Sequence, residues 1–535
     1  MKNKYIIAAV AALASLVSCD KFLDTMPDNR TEVDSAKKVA ALLGSAYPER
    51  VYSMLTELMS DNMDNNRAVV TEDAKRLYQS IWNWKDNTET GTDSDEEFWE
   101  NFWMSIAAAN HALAAIEELG GPSASSSLAE SYGEALLARA YCHFILVNIF
   151  CLQYNEETSA TDQGLPYMDT PEQGLNPKYE RGNVAEVYKR IDEDIQEGLK
   201  YVGDNYAVPK YHFNKQAAYA FATRFYLYYG QYEKAIQYAN ECLGPNPQGY
   251  LRDYAYLQAN TSTISEARIA YNSSESKANF LMITGESNAG LLWGNYSGEY
   301  KHYGFTKYIA QTESFYAPTP WSNGALQTAA SFIWRPREYT SSSLEYILFW
   351  KIDYEFEYTD PVAGIGFRHT VYPCFTADQT LLDRAEALIL LKRYDEALVD
   401  LNLWVNNMYV ANVNLTTDMI DSFYDKMEYY QWDKPTQKKK LEPRKPIVIQ
   451  DSLQENMIHF LLNCRRTETM GQGMRWFDIK RYGITVYRRV VNSNAEVVAV
   501  TDIMGPDDLR RALQIPQKSR DAGFEANKRE KKTSL

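Results

Sequence analysis

Two segments far apart in the chain carry one local pattern: RFYLYYGQYEKAIQYANECL (Arg224–Leu243) and EALILLKRYDEALVDLNLWV (Glu386–Val405). Each has an aliphatic and aromatic run, a short turn, and then Tyr-[Asp/Glu]-x-Ala-[Ile/Leu], so Tyr232 and Ala235 correspond to Tyr394 and Ala397. The small Ala lets two helices approach and the Tyr packs at the turn, the pattern of tetratricopeptide-like repeats. This commits the chain to a helical scaffold. Because the copies are so far apart, the scaffold is expected to be interrupted rather than a regular array.

Helical spacing recurs elsewhere. DSAKKVAALLGSAYPERVYSMLTELMSD places Val39, Leu42, Leu43 and Ala46 on one face, with Asp34 positioned as a cap and Pro48 as an interruption. FWENFWMSIAAANHALAAIEEL is strongly periodic and stops at Gly120-Gly121-Pro122. LAESYGEALLARAYCHFILVNIFC is apolar on most sides and predicts a buried helix. Residues 184–203 give one more helix, and another lies in ENMIHFLLNCRRTETMGQGMRWFDIKRYG. Residues 251–374 lose this period and are rich in Gly, Ser, Asn and Tyr. Within them YILFWKIDYEFEYTD alternates Asp353, Glu355 and Glu357 against Tyr354, Phe356 and Tyr358, a two-faced strand. The expected organisation is a helical scaffold over 34–250, an irregular insertion over 251–374, C-terminal helices over 375–495 with a second insertion at 408–450, and a terminal segment at 496–535. The fold class is mainly all-α, with a few short strands on an aromatic-rich face.

The N-terminus reads as an export signal. Lys2 and Lys4 precede an apolar run from Ile6 to Val17, too short to span a bilayer of roughly 30 Å. The junction Leu16-Val17-Ser18-Cys19 matches a lipoprotein lipobox, so residues 1–18 are expected to be removed and Cys19 to carry diacylglycerol and an amide-linked acyl chain such as palmitate. Residues 19–33 then form a lipidated tether. No later segment reads as apolar for long enough to cross a membrane.

Composition excludes several classes. A net charge of −16 argues against nucleic acid, and the basic runs QKKK (Gln437–Lys440) and KREKK (Lys528–Lys532) are short. Both runs read as a solvated face or a frayed tail. Cys142, Cys151, Cys242, Cys374 and Cys464 form no C-x-x-C pair and read as small buried hydrophobes. Six scattered histidines give no zinc pattern, and no metal or cofactor is expected. The 40 Tyr and 11 Trp exceed what helices need for packing and suggest aromatic surface of the kind that stacks on sugar rings.

In this setting the chain resembles the SusD/RagB family of surface lipoproteins over nearly its whole mature length. FWENFWMSIAAANHAL is similar to the family's W-x-x-x-Y-x-x-I-x-x-x-N helix, and EALLARAYCHFILVNIFC with QGLPYM to its L-R-A-x-x-Y-F-x-L-V-x-x-F and G-x-P run. RRTETMGQGMRWFDIKRYG resembles E-R-x-x-E-x-x-x-E-G-x-R-W-x-D-L-x-R-W-G, matched at Arg465, Glu468, Gly473, Arg475, Trp476, Asp478 and Arg481. Cys464 and Gln472 replace family glutamates and read as altered structural ion pairs. LQIPQKSRDAGF is a degraded form of the terminal I-P-x-x-E segment. The resemblance implies four tetratricopeptide-like units, surface exposure at the outer membrane, and a lid on a SusC-like TonB-dependent transporter that captures glycans. A peptide-binding or purely structural lid is the alternative.

A neutral oligosaccharide needs aromatic platforms and hydroxyl-binding Asp, Asn or Arg. By resemblance, Asp61, Arg67, Trp82 and Trp84 fall where related proteins place early binding-loop residues. SFYAPTPWSNGA sets Tyr316 and Trp321 among Pro, Ser and Asn, and Tyr296 lies in WGNYSGEYKHYG. The competing role for each ring is packing a loop onto the scaffold. Catalytic patterns are weaker. Asp353 and Glu355, or Glu355 and Glu357, share a strand face about 6.6 Å apart by strand rise, but an alternating acidic strand normally faces solvent. GESNAG around Ser287 misses a G-x-S-x-G elbow by one residue. DSDEE (Asp93–Glu97) lacks calcium-loop spacing and reads as a helix start. The chain therefore reads as a binding protein rather than an enzyme, with a surface glycosidase as the remaining reading.

Overall fold

The computed structural model describes residues 33–66, 72–172, 178–294, 302–341, 344–352, 354–492, 494 and 496–530. Cys19, the export signal, nearly all of the tether, Arg67, Tyr296 and Asp353 lie outside the described residues.

The N-terminal helices are α1 (Ala36–Leu43), α2 (Ser53–Met59), α3 (Glu72–Trp82), α4 (Asp95–Glu118), α5 (Ser126–Phe150) and α6 (Val184–Tyr201). The cap of α1 is Ser35 rather than Asp34, whose carboxylate instead pairs with Lys38 at 2.9 Å, one turn on. Pro48 falls in the break before α2, as its missing N–H requires. Helix α4 starts where the Ser94 hydroxyl accepts from the Glu97 N–H, and Asp95, Glu96 and Glu97 face the positive end of the helix dipole. The acidic run is thus a helix start. Helix α5 corrects one expectation, since it is long and apolar enough by composition to cross a membrane. Its most apolar stretch is wholly buried, and it packs between α4 and α6.

The two repeat segments fold as helix pairs: α7 (Lys215–Tyr228) with α8 (Tyr232–Leu243), and α9 (Ala377–Leu390) with α10 (Tyr394–Met408). Ala235 and Ala397 are fully buried between their helices. The turns are equivalent in backbone as well as in sequence. Gly230 (φ 79°) and Lys392 (φ 58°) occupy the same position and both adopt the left-handed conformation, which glycine takes freely and lysine does not. Although remote in sequence, the pairs pack on each other through α8 and α9. The C-terminal helices α11 (Ser452–Glu468) and α12 (Arg475–Arg481) complete the scaffold, α11 against α9.

Short strands cover one side: β1 (Asp64–Asn65), β2 (Asn279–Gly285), β3 (Tyr303–Gly304), β4 (Glu338–Ser341), β5 (Leu344–Ile347), β6 (Glu355–Asp360), β7 (Ile365–Thr376), β8 (Val486–Val491) and β9 (Val497–Met504). They form sheets of order β3-β1-β8-β9, β2-β7-β6 and β4-β5, with β1 and β8 parallel and the other pairs antiparallel. The two-faced strand is shorter than its alternation suggests, because Leu348 to Ile352 leave the strand and are buried. In β6 both Phe356 and Tyr358 are exposed, so neither face is covered.

The arginine-rich block is interior. Arg465 reaches Asp383 (3.0 Å), Glu386 (2.5 Å) and Asp478 (2.9 Å), while Trp476 is fully buried. Cys464 is buried, and Gln472 meets Gln379 (3.2 Å) and the Tyr271 hydroxyl (3.4 Å), so neutral contacts stand where the resemblance has acids. The other four cysteines of the body are also buried and free. Gly473 has φ 80° and donates its N–H to Glu57 at 2.8 Å. A Cβ there would overlap the Thr56 hydroxyl and lie 2.9 Å from Ser53 Cα. Gly473→Ala should therefore be destabilised by about 2–4 kcal/mol from backbone strain and overpacking together. The check is thermal melting, where a Tm equal to the parent's would contradict this account of the turn.

Candidate functional site

The loop 314–332 is built by local polar chemistry. The Thr319 N–H donates to the Ser322 hydroxyl (2.9 Å), the Ser322 N–H to the Thr319 carbonyl (3.0 Å), and the Gln327 N–H to the Tyr316 carbonyl (2.9 Å). Asn323 (φ 51°) and Gly324 (φ 83°) turn the chain back. Trp321 rides on this turn half-buried, its ring edge-on to Tyr409 (5.2 Å between centroids) and Phe460 (6.3 Å). Its inner side packs on the scaffold and the rest remains open.

The neighbouring insertion 408–450 is bolted to the same loop, since Gln437 Nε2 donates to the Pro318 carbonyl at 2.6 Å. A turn in that insertion, closed by reciprocal bonds between Gln431 and Lys434 (3.3 and 3.1 Å), exposes Trp432, with Tyr429 exposed beside it. Sequence reasoning missed both rings. The signal was there: QWDKP sets a Trp between polar residues and a Pro, as PTPWSNG does.

Beneath these loops lies a buried ionic cluster. Asp61 takes a two-pronged bond from Arg475 (2.8 and 2.9 Å), with Arg466 at 3.5 Å and Lys439 at 3.6 Å. Glu313 binds Lys439 (2.5 Å) and Arg489 (2.5 Å), and Arg489 also holds Asp64 (2.9 Å). Burial would raise the Asp61 carboxyl, but Arg466 and Arg475 outweigh it and hold the group well below the usual range. Burial pushes the Lys439 amine down to about 8 despite Glu313 and Asp61. Glu57, bonded by Asn62 and the Gly473 N–H, is pushed up by burial to about 7.

This geometry corrects four of the predicted ligand contacts. Asp61 is buried and saturated by cations, so it ties β1's approach to α11 and α12 rather than meeting a hydroxyl. Trp82 and Trp84 are buried, their indole N–H groups bonded to the carbonyls of Met63 (3.4 Å) and Met59 (3.0 Å). The Arg488 guanidinium covers them, 3.7 Å from the Trp84 ring and 5.0 Å from the Trp82 ring. Arg488 has these two rings in place of a paired carboxylate and donates to the carbonyls of Leu58 (3.0 Å), Met59 (2.8 Å) and Ser60 (2.8 Å), where α2's dipole is negative. Tyr316 is buried with its hydroxyl on Glu338 at 2.7 Å. Trp321 is the one predicted ring among the described residues with an open surface, while Arg67 and Tyr296 lie outside them.

Other sequence patterns resolve into structure. Gln437, Lys438 and Lys439 are all buried, which overturns the reading of QKKK as a solvated face for these three residues, while Lys440 is exposed. The Ser287 hydroxyl donates to Asp93 at 2.7 Å, fixing the loop before α4. Glu355 and Glu357 lie on the uncovered strand β6, opposite His369 and Phe367 of β7. No group of three or more His, Cys, Asp or Glu side chains arranged for a metal occurs among the described residues. An open groove of about 450 Å³ between α5 and α6 is lined by Tyr132, Arg139, Glu193, Asp194, Glu197 and Lys200, among others. Its central charges are already paired, Arg139 with Asp194 at 2.7 Å.

Residues 21–227 match the SusD-like family model described as starch-binding associating with outer membrane. No curated protein sequence matches the chain significantly. Among solved structures, a SusD superfamily protein from Bacteroides vulgatus superposes with a TM-score of 0.64 at 18% identity, covering 93% of this chain and 98% of that one. A SusD superfamily protein from Bacteroides thetaiotaomicron gives 0.61 at 17% identity, over 92% and 100% of the two chains. A SusD-like carbohydrate binding protein from Bacteroides vulgatus gives 0.61 at 14% identity, over 91% and 96%. The similarity to the SusD-like family model thus covers the N-terminal part of the chain, and the chain shares its fold with these solved structures over nearly its whole length.

Proposed function

We propose that this protein binds a neutral oligosaccharide or polysaccharide on the loop face that carries Trp321, and passes it to a SusC-like TonB-dependent transporter in the outer membrane. The observation that carries the binding step is a half-buried tryptophan with open surface, held on a polar turn above a helical scaffold; it is supported by the match of residues 21–227 to a family model described as starch-binding. Such a ring meets the apolar face of a pyranose without first having to be ordered. The lipid expected on Cys19 holds the body at the membrane surface, so capture takes place beside the transporter.

Affinity electrophoresis in gels cast with starch, xylan, mannan, pectin and β-glucan tests the binding step. The parent protein should be retarded by at least one polysaccharide. Trp321→Ala should weaken that retention by about 3–10-fold, the contribution of one aromatic contact. Free migration of the parent protein in every gel would overturn the reading. Co-purification with a barrel protein from solubilised outer membranes tests the delivery step.

A further inference from the structure

The basic run at Gln437–Lys440 is unusual in that three consecutive side chains point inward. Gln437 Nε2 donates to the Pro318 carbonyl at 2.6 Å, Lys438 Nζ to the Tyr424 carbonyl at 2.8 Å, and Lys439 Nζ pairs with Glu313 at 2.5 Å. The two ammonium groups also sit over rings, Lys438 4.7 Å from the Tyr429 centroid and Lys439 3.2 Å from that of Tyr430. The Tyr430 N–H closes the segment on the Lys438 carbonyl at 2.7 Å, and the Tyr429 hydroxyl bonds Glu455 at 2.8 Å. All this organisation holds one short turn, Gln431–Lys434. The side chain at its first central position is an indole that is 41% exposed. Turn chemistry does not call for tryptophan there, where Pro is the residue that fits most readily. A large, substantially exposed ring at this position, on a segment so firmly fixed, departs from ordinary turn chemistry.

We propose that Trp432 is a second aromatic platform for the neutral glycan, with Asp433 and Gln431 beside it to meet sugar hydroxyls, and that Gln437, Lys438 and Lys439 are positioning residues that hold this arm next to the Trp321 loop. The inference rests on the glycan-binding reading above. The other exposed aromatic pair does not share its features. On the β6–β7 hairpin the Phe356 ring lies over Gly366, where an added Cβ would come within 2.7 Å of it, and Tyr358 packs on Phe356 with centroids 4.9 Å apart. Those rings cover their own hairpin.

The test is calorimetric titration of the full chain with maltoheptaose, xylohexaose, mannohexaose and cellohexaose, using the parent, Trp432→Ala, Trp432→Phe and Tyr358→Ala. Because Trp432 lies on an exposed turn, its variants should keep the parental circular dichroism spectrum and Tm. For the sugar that binds the parent, Trp432→Ala should weaken affinity about tenfold, Trp432→Phe should restore most of it, and Tyr358→Ala should leave it unchanged. Unchanged affinity in Trp432→Ala, with the parent still binding, overturns this inference and leaves the proposed function standing. Absence of parental binding to all four sugars, joined to free migration in the polysaccharide gels, overturns both.

Discussion

Glu313→Ala should lower the melting temperature by about 3–5 °C, the expected result of removing one acid from a buried cluster of unlike charges. Glu313 is almost wholly buried and receives Lys439 and Arg489 at 2.5 Å each, with Arg466 at 3.7 Å. Without it, the cations Lys439, Arg466, Arg475 and Arg489 have Asp61 and Asp64 as the remaining carboxylates of the cluster. Uncompensated buried charge of this kind costs about 3–5 kcal/mol. Lys439 also anchors the insertion that displays Trp432, so the damage should extend to the loop face. Glu313→Gln keeps the volume and an acceptor and should be milder. Scanning calorimetry is the check, and an alanine variant melting within a degree of the parent would mean that the cluster is not what joins the loops to the scaffold.

Stability should also fall as pH rises from about 4.5 to about 7, with Glu57 as a principal cause. Burial raises its folded pKa to about 7 from an ordinary 4.5. Between those values the folded state binds a proton that the unfolded chain has released. The stabilisation is therefore complete below the unfolded pKa and drains away as pH climbs through the folded one. The shift corresponds to about 3 kcal/mol. Asp93 and Asp95, raised by burial to about 6, add a change of the same sign. Carboxyls held low by arginines, such as Asp61 and Glu386 (about 2), act in the opposite sense, and their contribution disappears only as pH falls below about 4. Tm should thus be higher at pH 5 than at pH 7.5. Glu57→Gln, neutral at every pH, should flatten the profile on its alkaline side and raise Tm at pH 7.5. An equally steep profile in Glu57→Gln would remove Glu57 from the explanation.

The scaffold was legible because helical period and turn chemistry are local. The paired Tyr and Ala positions located two helix hairpins, and even the turn geometry follows the alignment, with Gly230 and Lys392 in one conformation. The loop face was less legible because exposure is decided by residues distant in sequence. Trp82 and Trp84 read as platforms until Arg488, some 400 residues later, is seen lying across both rings. Asp61 reads as a hydroxyl-binding acid until Arg466 and Arg475 fold onto it. The run QKKK shows the reverse case: charge predicts solvent, but Glu313, Pro318 and Tyr424 supply interior partners that no local pattern announces. Trp321 was placed correctly in a loop with open surface because Pro, Ser and Asn around it left the ring few neighbours in its own segment. The same test applied to QWDKP would have found Trp432.

Hydrogen exchange with and without an oligosaccharide that binds the parent protein tests the central claim most directly. Slowed exchange is predicted in residues 314–332 and 427–440, with no change along α5 and α6. Protection confined to the α5–α6 groove or to the β6–β7 hairpin, with both loops unaffected, would contradict it.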